Sequence, residues 1–369
     1  MNNPTTIQAP DHAPLRAKFP VIDAHNHLWG QWSSVKEVVH VMDEVGVVAY
    51  CDLTANIEIE FGGGGYKVSP GDFGRYLEHC EKPFPDRFFG FTTANLVQTC
   101  EGPLFDEGET FIAESIRLLQ EHAAMGARGL KILKELGLKH RDSAGNILNI
   151  DDERLAPVWE EAARLGLPVL VHQADPIAFF SPPTPKNEHY ETLRKYPVWC
   201  FAGEEFPSFH EIHRHYRQLL RNHPGTTFLL PHFANWPENF AYVGEILEEH
   251  PNVHLDFSAR TDELGRQPQA ARDFLIRHQD RVFFGTDMPA SAAMYRYHFR
   301  FLETYEEGLI PPDYDGSFGR YRWSVTGLGL PDEVLRKLYH ENALRLIPGL
   351  REQVSVQLNA IEPKIQNHE

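Results

Sequence analysis

The sequence predicts an α/β fold, a (β/α)8 TIM barrel with long βα-loop insertions at its C-terminal mouth. Three features carry that reading. Eight short runs of aliphatic, β-branched or aromatic residues recur along the chain, helical patterns alternate with them, and the longest connections (54–86, 173–208 and 288–330) all follow strands. In such a barrel those connections line the end where active sites are built.

Taken in order, residues 1–20 are polar and proline-bearing, lack the apolar core of a signal peptide and form an N-terminal extension. Strands are expected at 21–24, 47–53, 88–94, 129–133, 168–172, 227–232, 253–257 and 282–286. Helices are expected at 34–45, 109–125, 152–165, 209–221, 237–249 and 267–278, with a last one at 331–346. Gly126, Gly166 and the pair His223-Pro224 end helices, while Asp151-Asp152 and Asp332-Glu333 put acid in a first turn, where the helix dipole favours it. The barrel then occupies 21–350, with a tail at 351–369. No Gly-x-Gly-x-x-Gly follows a strand, which argues against a dinucleotide fold. The run Gly62-Gly63-Gly64-Gly65 has no Lys-Ser/Thr behind it and reads as a flexible loop rather than a phosphate cradle. The connection at 173–208, rich in proline and aromatics, has the composition of a semi-rigid lid.

With 42% hydrophobic residues the chain can bury a large core, and a formal charge of −17 speaks against nucleic acid or an anionic membrane as partner. Cys51, Cys80, Cys100 and Cys200 are widely spaced and form no metal or disulfide motif, which fits a reducing, cytoplasmic setting. No run is long and apolar enough to span a membrane.

Chemistry enters at the strand ends. The first strand runs into His25-Asn26-His27, and in extended chain residues i and i+2 face the same way, as a chelate requires. With 20 histidines in 369 residues, about one such pair arises by chance. The second pair, His213 and His215, lies in a helical pattern that sends the two side chains apart. The fifth strand ends in His172, the sixth in His232 and the eighth in Asp287. Singly, each has a plainer role: His172 as a core histidine, His232 as a loop residue, Asp287 as the N-cap of a helix at 289–299. Jointly they place imidazoles and a carboxylate on one rim, the ligand types of Zn²⁺ or a similar ion.

The elements Asp23-Ala24-His25-Asn26-His27, Val171-His172, Pro231-His232, Gly285-Thr286-Asp287 and Tyr339-His340-Glu341-Asn342-Ala343-Leu344 resemble the amidohydrolase superfamily. The likeness is to the branch of metal-dependent hydrolases and decarboxylases that includes aminocarboxymuconate-semialdehyde decarboxylase. The resemblance implies that His25, His27, His172 and Asp287 are metal ligands, that His232 and Asp287 are catalytic, and that His232 stands beside the metal-bound water. It implies one divalent ion, with Zn²⁺ suiting the nitrogen-rich set and Mn²⁺ or Fe²⁺ also compatible, and by analogy a homodimer. Some branches carry a carboxylated lysine on the fourth strand, bridging two metals. Here Lys131 occupies that strand and is expected instead to bind a substrate carboxylate or to pair with Glu135.

The expected activity is hydrolysis of an ester, lactone or amide of a small organic acid by metal-activated water. Non-oxidative decarboxylation of an unsaturated or aromatic acid is the alternative, and a metal-clipped binding barrel without turnover is a remote third. A carboxylated small molecule is the expected partner. Trp29, as a stacking wall, and Arg260, directly after the seventh strand, join Lys131 as candidate substrate contacts; Arg296, Arg300, Arg320 and Arg322 lie in the last insertion.

Overall fold

The computed structural model describes residues 13–28, 32–62, 65–97, 109–312 and 322–365. Ten strands are present among them: β1 (Val21–Asn26), β2 (Val47–Asp52), β3 (Ile57–Gly62), β4 (Gly65–Pro70), β5 (Phe88–Gly90), β6 (Leu130–Ile132), β7 (Val169–Val171), β8 (Phe228–Leu230), β9 (Val253–Asp256) and β10 (Val282–Phe283). All except β3 and β4 are parallel neighbours, in the orders β1-β2-β5 and β10-β9-β8-β7-β6.

Backbone hydrogen bonds close these two sheets into a ring. Thr92 N donates to Gly129 O at 3.0 Å and Lys131 N to Thr92 O at 2.7 Å, joining the end of β5 to β6. At the other seam Ala24 N donates to Phe284 O at 3.0 Å and Thr286 N to His25 O at 3.1 Å. The eight parallel strands therefore form the expected barrel, in chain order around the ring.

Alternation along the strands divides the core in two. Val21, Leu130, Val169, Val171, Phe228, Leu230, Leu255 and Phe284 face the surrounding helices. Ile22, Ala24, Ala49, Cys51, Phe89, Phe91, Leu170, Leu229 and Phe283 fill the interior. The helix Leu350–Ile365 packs against this inner cluster through the fully buried Leu350 and Val354, closing one end. The inner positions nearer the strand C-termini, including Lys131, His172 and Asp256, are polar. A dry lower barrel thus supports a polar upper rim.

The helices at Val35–Val45, Glu109–Met125, Ala156–Arg164, Phe209–Asn222, Phe240–Glu249 and Pro268–Arg277 match the sequence pattern. Two features of the connection after β2 differ from expectation. A short helix opens at Phe73–Tyr76, capped by the Asp72 carboxylate on Gly74 N. The glycine run is not merely a loop: β3 and β4 form an antiparallel hairpin in which Gly62 faces Gly65. Alternation in Ile57-Glu58-Ile59-Glu60-Phe61 explains it, because Ile57 and Ile59 bury against Val97, Tyr66 and Val68 on one face. Tyr66 Oη donates to Glu135 Oε1 at 2.6 Å, fastening the hairpin to the segment after β6.

The 173–208 connection packs on itself through Phe179, Leu193 and Phe201 with Phe209. After β10 the helix Ala292–Glu303 is capped by Ser291, not by Asp287, which leaves the Asp287 carboxylate to the rim. Among the described residues no helix is long and apolar enough to cross a membrane.

Candidate metal centre

Strand irregularities aim the first two histidines. Asp23 pairs with Tyr50 and Asn26 with Asp52, so β1 carries one extra residue there and bulges. Asn26 stabilises the bulge: its amide nitrogen donates to Asp23 Oδ2 and Thr286 Oγ1, both at 2.8 Å, and its oxygen accepts from His27 N at 2.8 Å. Gly285 makes room beside it, since a Cβ there would lie 2.5 Å from His25 Cβ. His232 and Asp287 also leave their strands abruptly, with φ of 56° and 51°, a region that is strained for side chains with a Cβ.

Three imidazoles are held in one tautomer. His25 Nδ1 donates to Asp256 Oδ2 at 2.7 Å, and His232 Nδ1 to the Ser258 carbonyl at 2.8 Å. Thr54 Oγ1 gives its proton to Asp52 Oδ1 at 3.0 Å and so accepts from His27 Nδ1 at 3.0 Å. Each Nε2 therefore carries the lone pair. These nitrogens gather on Asp287: His27 Nε2 is 3.2 Å and His25 Nε2 3.9 Å from Oδ1, and His232 Nε2 is 3.7 Å from Oδ2. Ligand atoms of His25, His232 and Asp287 all lie within 4.8 Å of one another. His172 stands one ring away, its centroid 4.4 Å from that of His232, with Nε2 turned to Asp175 Oδ1 at 3.7 Å.

Charge follows burial. Desolvation pushes His27 down to about 3 and His172 to about 4, against the pull of Asp287 and Asp175 respectively. Burial also holds His232 well below its ordinary value, helped by neighbouring His172 and Arg260. For Asp287 burial acts upward, but His25, His27 and Lys131 together outweigh it and keep the carboxyl well below the usual range. The result at neutral pH is an ionised carboxylate facing the unprotonated imidazoles of His27 and His232.

Of the expected substrate contacts, Lys131 projects into the barrel, fully buried, with Nζ 3.5 Å from His25 Nε2; burial draws its ammonium down to about 8. Its expected partner Glu135 instead accepts from Tyr66. Arg260, 8% exposed, reaches Asp175 Oδ1 with Nη2 at 3.4 Å, while its Nε has no hydrogen-bond partner among the described residues. Asp175 is also paired with Lys134, another buried cation. Arg296, Arg300 and Arg322 are engaged by Glu44, Glu306 and Glu191, away from the centre. Trp29 and Arg320 lie outside the described residues. His213 and His215 diverge as expected, toward Tyr242 and Asp151.

Sequence reading missed Asp256, Thr54 and Asp175. Asp256 is the last residue of β9, and an acid among Val253, Leu255 and Phe257 gives only the alternation signal that it faces inward.

The residues fit a divalent cation. Neutral imidazole nitrogens with one ionised carboxylate form a borderline donor set suited to Zn²⁺ and its neighbours. The buried Nε2 of His232, whose proton sits on Nδ1, lacks a hydrogen-bond partner among the described residues, and a cation would satisfy that lone pair.

Comparison with known proteins agrees with this fold. A TIM-barrel protein of uncharacterised role from Bordetella bronchiseptica is 17% identical, with 90% of this chain and 87% of that one covered at a TM-score of 0.50. The 2,6-dihydroxybenzoate decarboxylase from Rhizobium is 14% identical over 89% of this chain and 98% of its own, also at 0.50. A 2,6-dihydroxybenzoate decarboxylase complexed with 2,6-dihydroxybenzoate gives the same values. No curated protein matches the chain. The amidohydrolase family model matches residues 22–349, from the first barrel strand to the turn before the helix Leu350–Ile365. The chain belongs to the amidohydrolase family.

Proposed function

We propose that the chain is a metal-dependent hydrolase acting on an ester, lactone or amide of a small carboxylated compound. The observation that carries this is the convergence of the His25, His27 and His232 Nε2 atoms on the Asp287 carboxylate. In this reading His25, His27, His172 and Asp287 hold one divalent ion, with Zn²⁺ the first choice and Mn²⁺ or Fe²⁺ compatible. When bound, the ion supplies Lewis acidity, lowering the pKa of water toward about 7 and polarising a substrate oxygen.

The protein's own groups do the rest. Asp287, ionised, accepts a proton from the attacking water and later returns it to the leaving group. His232 is constrained by Ser258: with its proton on Nδ1, Nε2 must accept before it can donate. The proton that Asp287 takes from the water can pass to His232 Nε2, 3.7 Å from Asp287 Oδ2, where the imidazolium faces the developing oxyanion, a contribution of roughly 2–4 kcal/mol, before it returns through Asp287 to the leaving group. Lys131 and Arg260 supply cationic partners for a substrate carboxylate.

A second reading, non-oxidative decarboxylation, is favoured by the buried cations Lys131, Lys134 and Arg260 beside the centre. There the substrate carbon gains a proton as CO₂ departs, leaving the bonding electrons on carbon. The fold is shared with a 2,6-dihydroxybenzoate decarboxylase, whose ligand is of this class. A panel of lactones, esters, amides and aromatic acids, followed for both acid release and CO₂, separates the two. Acid release without CO₂ supports hydrolysis; CO₂ without acid release contradicts it and selects the second reading.

A further inference from the structure

We infer that Asp256 is the positioning residue that assembles the centre, fixing His25 and His232 in the tautomer that aims both Nε2 atoms at Asp287. This inference rests on the reading of His25 as a metal ligand.

Asp256 ends β9 on its inward face and is fully buried. Its two oxygens are divided between partners. Oδ1 accepts from His232 N at 3.0 Å, Ser258 N at 2.9 Å and Ser258 Oγ at 2.6 Å. Oδ2 accepts from His25 Nδ1 at 2.7 Å. Ser258 Oγ, its proton given to Asp256, turns lone pairs to His25 Nδ1 at 2.9 Å and His232 Nδ1 at 3.1 Å. Each contact favours a proton on Nδ1 of both rings.

The bond to His232 N has a second consequence. His232, Phe233, Ala234 and Asn235 all have φ between 53° and 59°, a left-handed turn of four residues with side chains. Such residues cost roughly 1–2 kcal/mol each, so the turn persists only if held at both ends. Asp256 Oδ1 holds the first amide, and Asn235 Oδ1 holds the last residue to Gln173 N and Ala174 N at 3.3 Å.

This division makes one substitution diagnostic. In Asp256→Asn the three donors at the Oδ1 position oblige the amide oxygen to sit there, so the NH₂ group faces His25 Nδ1–H. Two donors then oppose each other. His25 relieves the clash by carrying its proton on Nε2, the nitrogen whose lone pair the centre needs. The shape is retained and the aim is lost.

The test uses the full-length protein, Zn²⁺ alone as probe in competition with a chromophoric chelator, and ¹⁵N imidazole NMR of the metal-free form. Wild type is expected to show Nδ1–H at His25 and His232. Asp256→Asn is expected to show Nε2–H at His25 and Zn²⁺ affinity lower by about 10–100-fold. A variant that binds Zn²⁺ within about threefold of wild type overturns the inference, because the loss is then smaller than a misplaced ring proton on His25 would cause. So does a wild-type His25 protonated on Nε2, a result that does not depend on the variant folding. If wild type itself binds no Zn²⁺, the metal reading falls and takes this inference with it; wild type and variant then fail alike.

Discussion

His27 Nε2 lies 3.2 Å from Asp287 Oδ1, bringing the residue after the first barrel strand against the segment that follows the last. The contact spans the seam where the sheet closes, and the adjacent bond from Asp287 N to His25 O at 2.8 Å fixes the same two strand ends. Closing the barrel and building the centre are therefore one structural event. A change that opens this seam should lose both.

Asp287→Asn tests the carboxylate. The side chain keeps its size, but the ionised oxygen that faces three imidazoles is gone. Turnover is expected to fall by about 10²–10⁴-fold, with weaker metal retention and a near-normal circular dichroism spectrum. Steady-state kinetics with measured metal content checks this; unchanged kcat would remove Asp287 from the mechanism.

Gly285→Ala tests the packing beneath the centre. The new methyl would sit 2.5 Å from His25 Cβ and 3.1 Å from His25 N, so the strand or the histidine must shift. The expected loss is about 1–3 kcal/mol of stability, accompanied by a disproportionate loss of metal affinity. Thermal unfolding with and without Zn²⁺ measures both. A variant with wild-type metal affinity would show that His25 does not need this geometry.

Arg260→Met tests the carboxylate contact. Removing a charge-assisted hydrogen bond of about 1.5–3 kcal/mol should raise KM for a carboxylated substrate roughly ten- to a hundredfold while changing kcat little. The effect should vanish for the corresponding neutral ester or amide. Equal losses on charged and neutral substrates would assign Arg260 to holding Asp175 instead.

Asp52, which stands behind His27 through the Thr54 hydroxyl, provides a pH prediction. Burial raises its carboxyl from 3.8 to about 6, opposed by hydrogen bonds from Thr54 and Leu28, and its Oδ2 has no hydrogen-bond partner among the described residues. Because the folded state holds this proton more tightly than the unfolded one, stability is greatest below pH 4 for this group. It declines as pH rises through 6. The ionised form then costs at most about 3 kcal/mol. Asp52→Asn is expected to raise the thermal midpoint by several degrees at pH 8 and by less at pH 5. An equal effect at both pH values would contradict the account.

Much of this arrangement was legible in the sequence, for identifiable reasons. A parallel strand ending in His or Asp writes its rim residue directly after an apolar run, so His25, His172, His232 and Asp287 announce themselves. The hairpin around Gly62 and Gly65 was also written, in the alternation of Ile57, Ile59 and Phe61, but the glycines drew the reading toward a loop. Asp256 was harder. Its role depends on where His25 and His232 arrive from other strands, and a single inward acid carries no such information. The Asp175 partnership with Lys134 and Arg260 joins segments after β6, β7 and β9, a juxtaposition that only closure of the barrel creates.

The most direct test of the central claim is anomalous diffraction from crystals grown with Zn²⁺. The account predicts one peak per chain at about 2.0–2.2 Å from His25 Nε2 and from an Asp287 carboxylate oxygen, with further imidazole nitrogens completing the shell. A peak bound by other residues, or none at this rim, would contradict it.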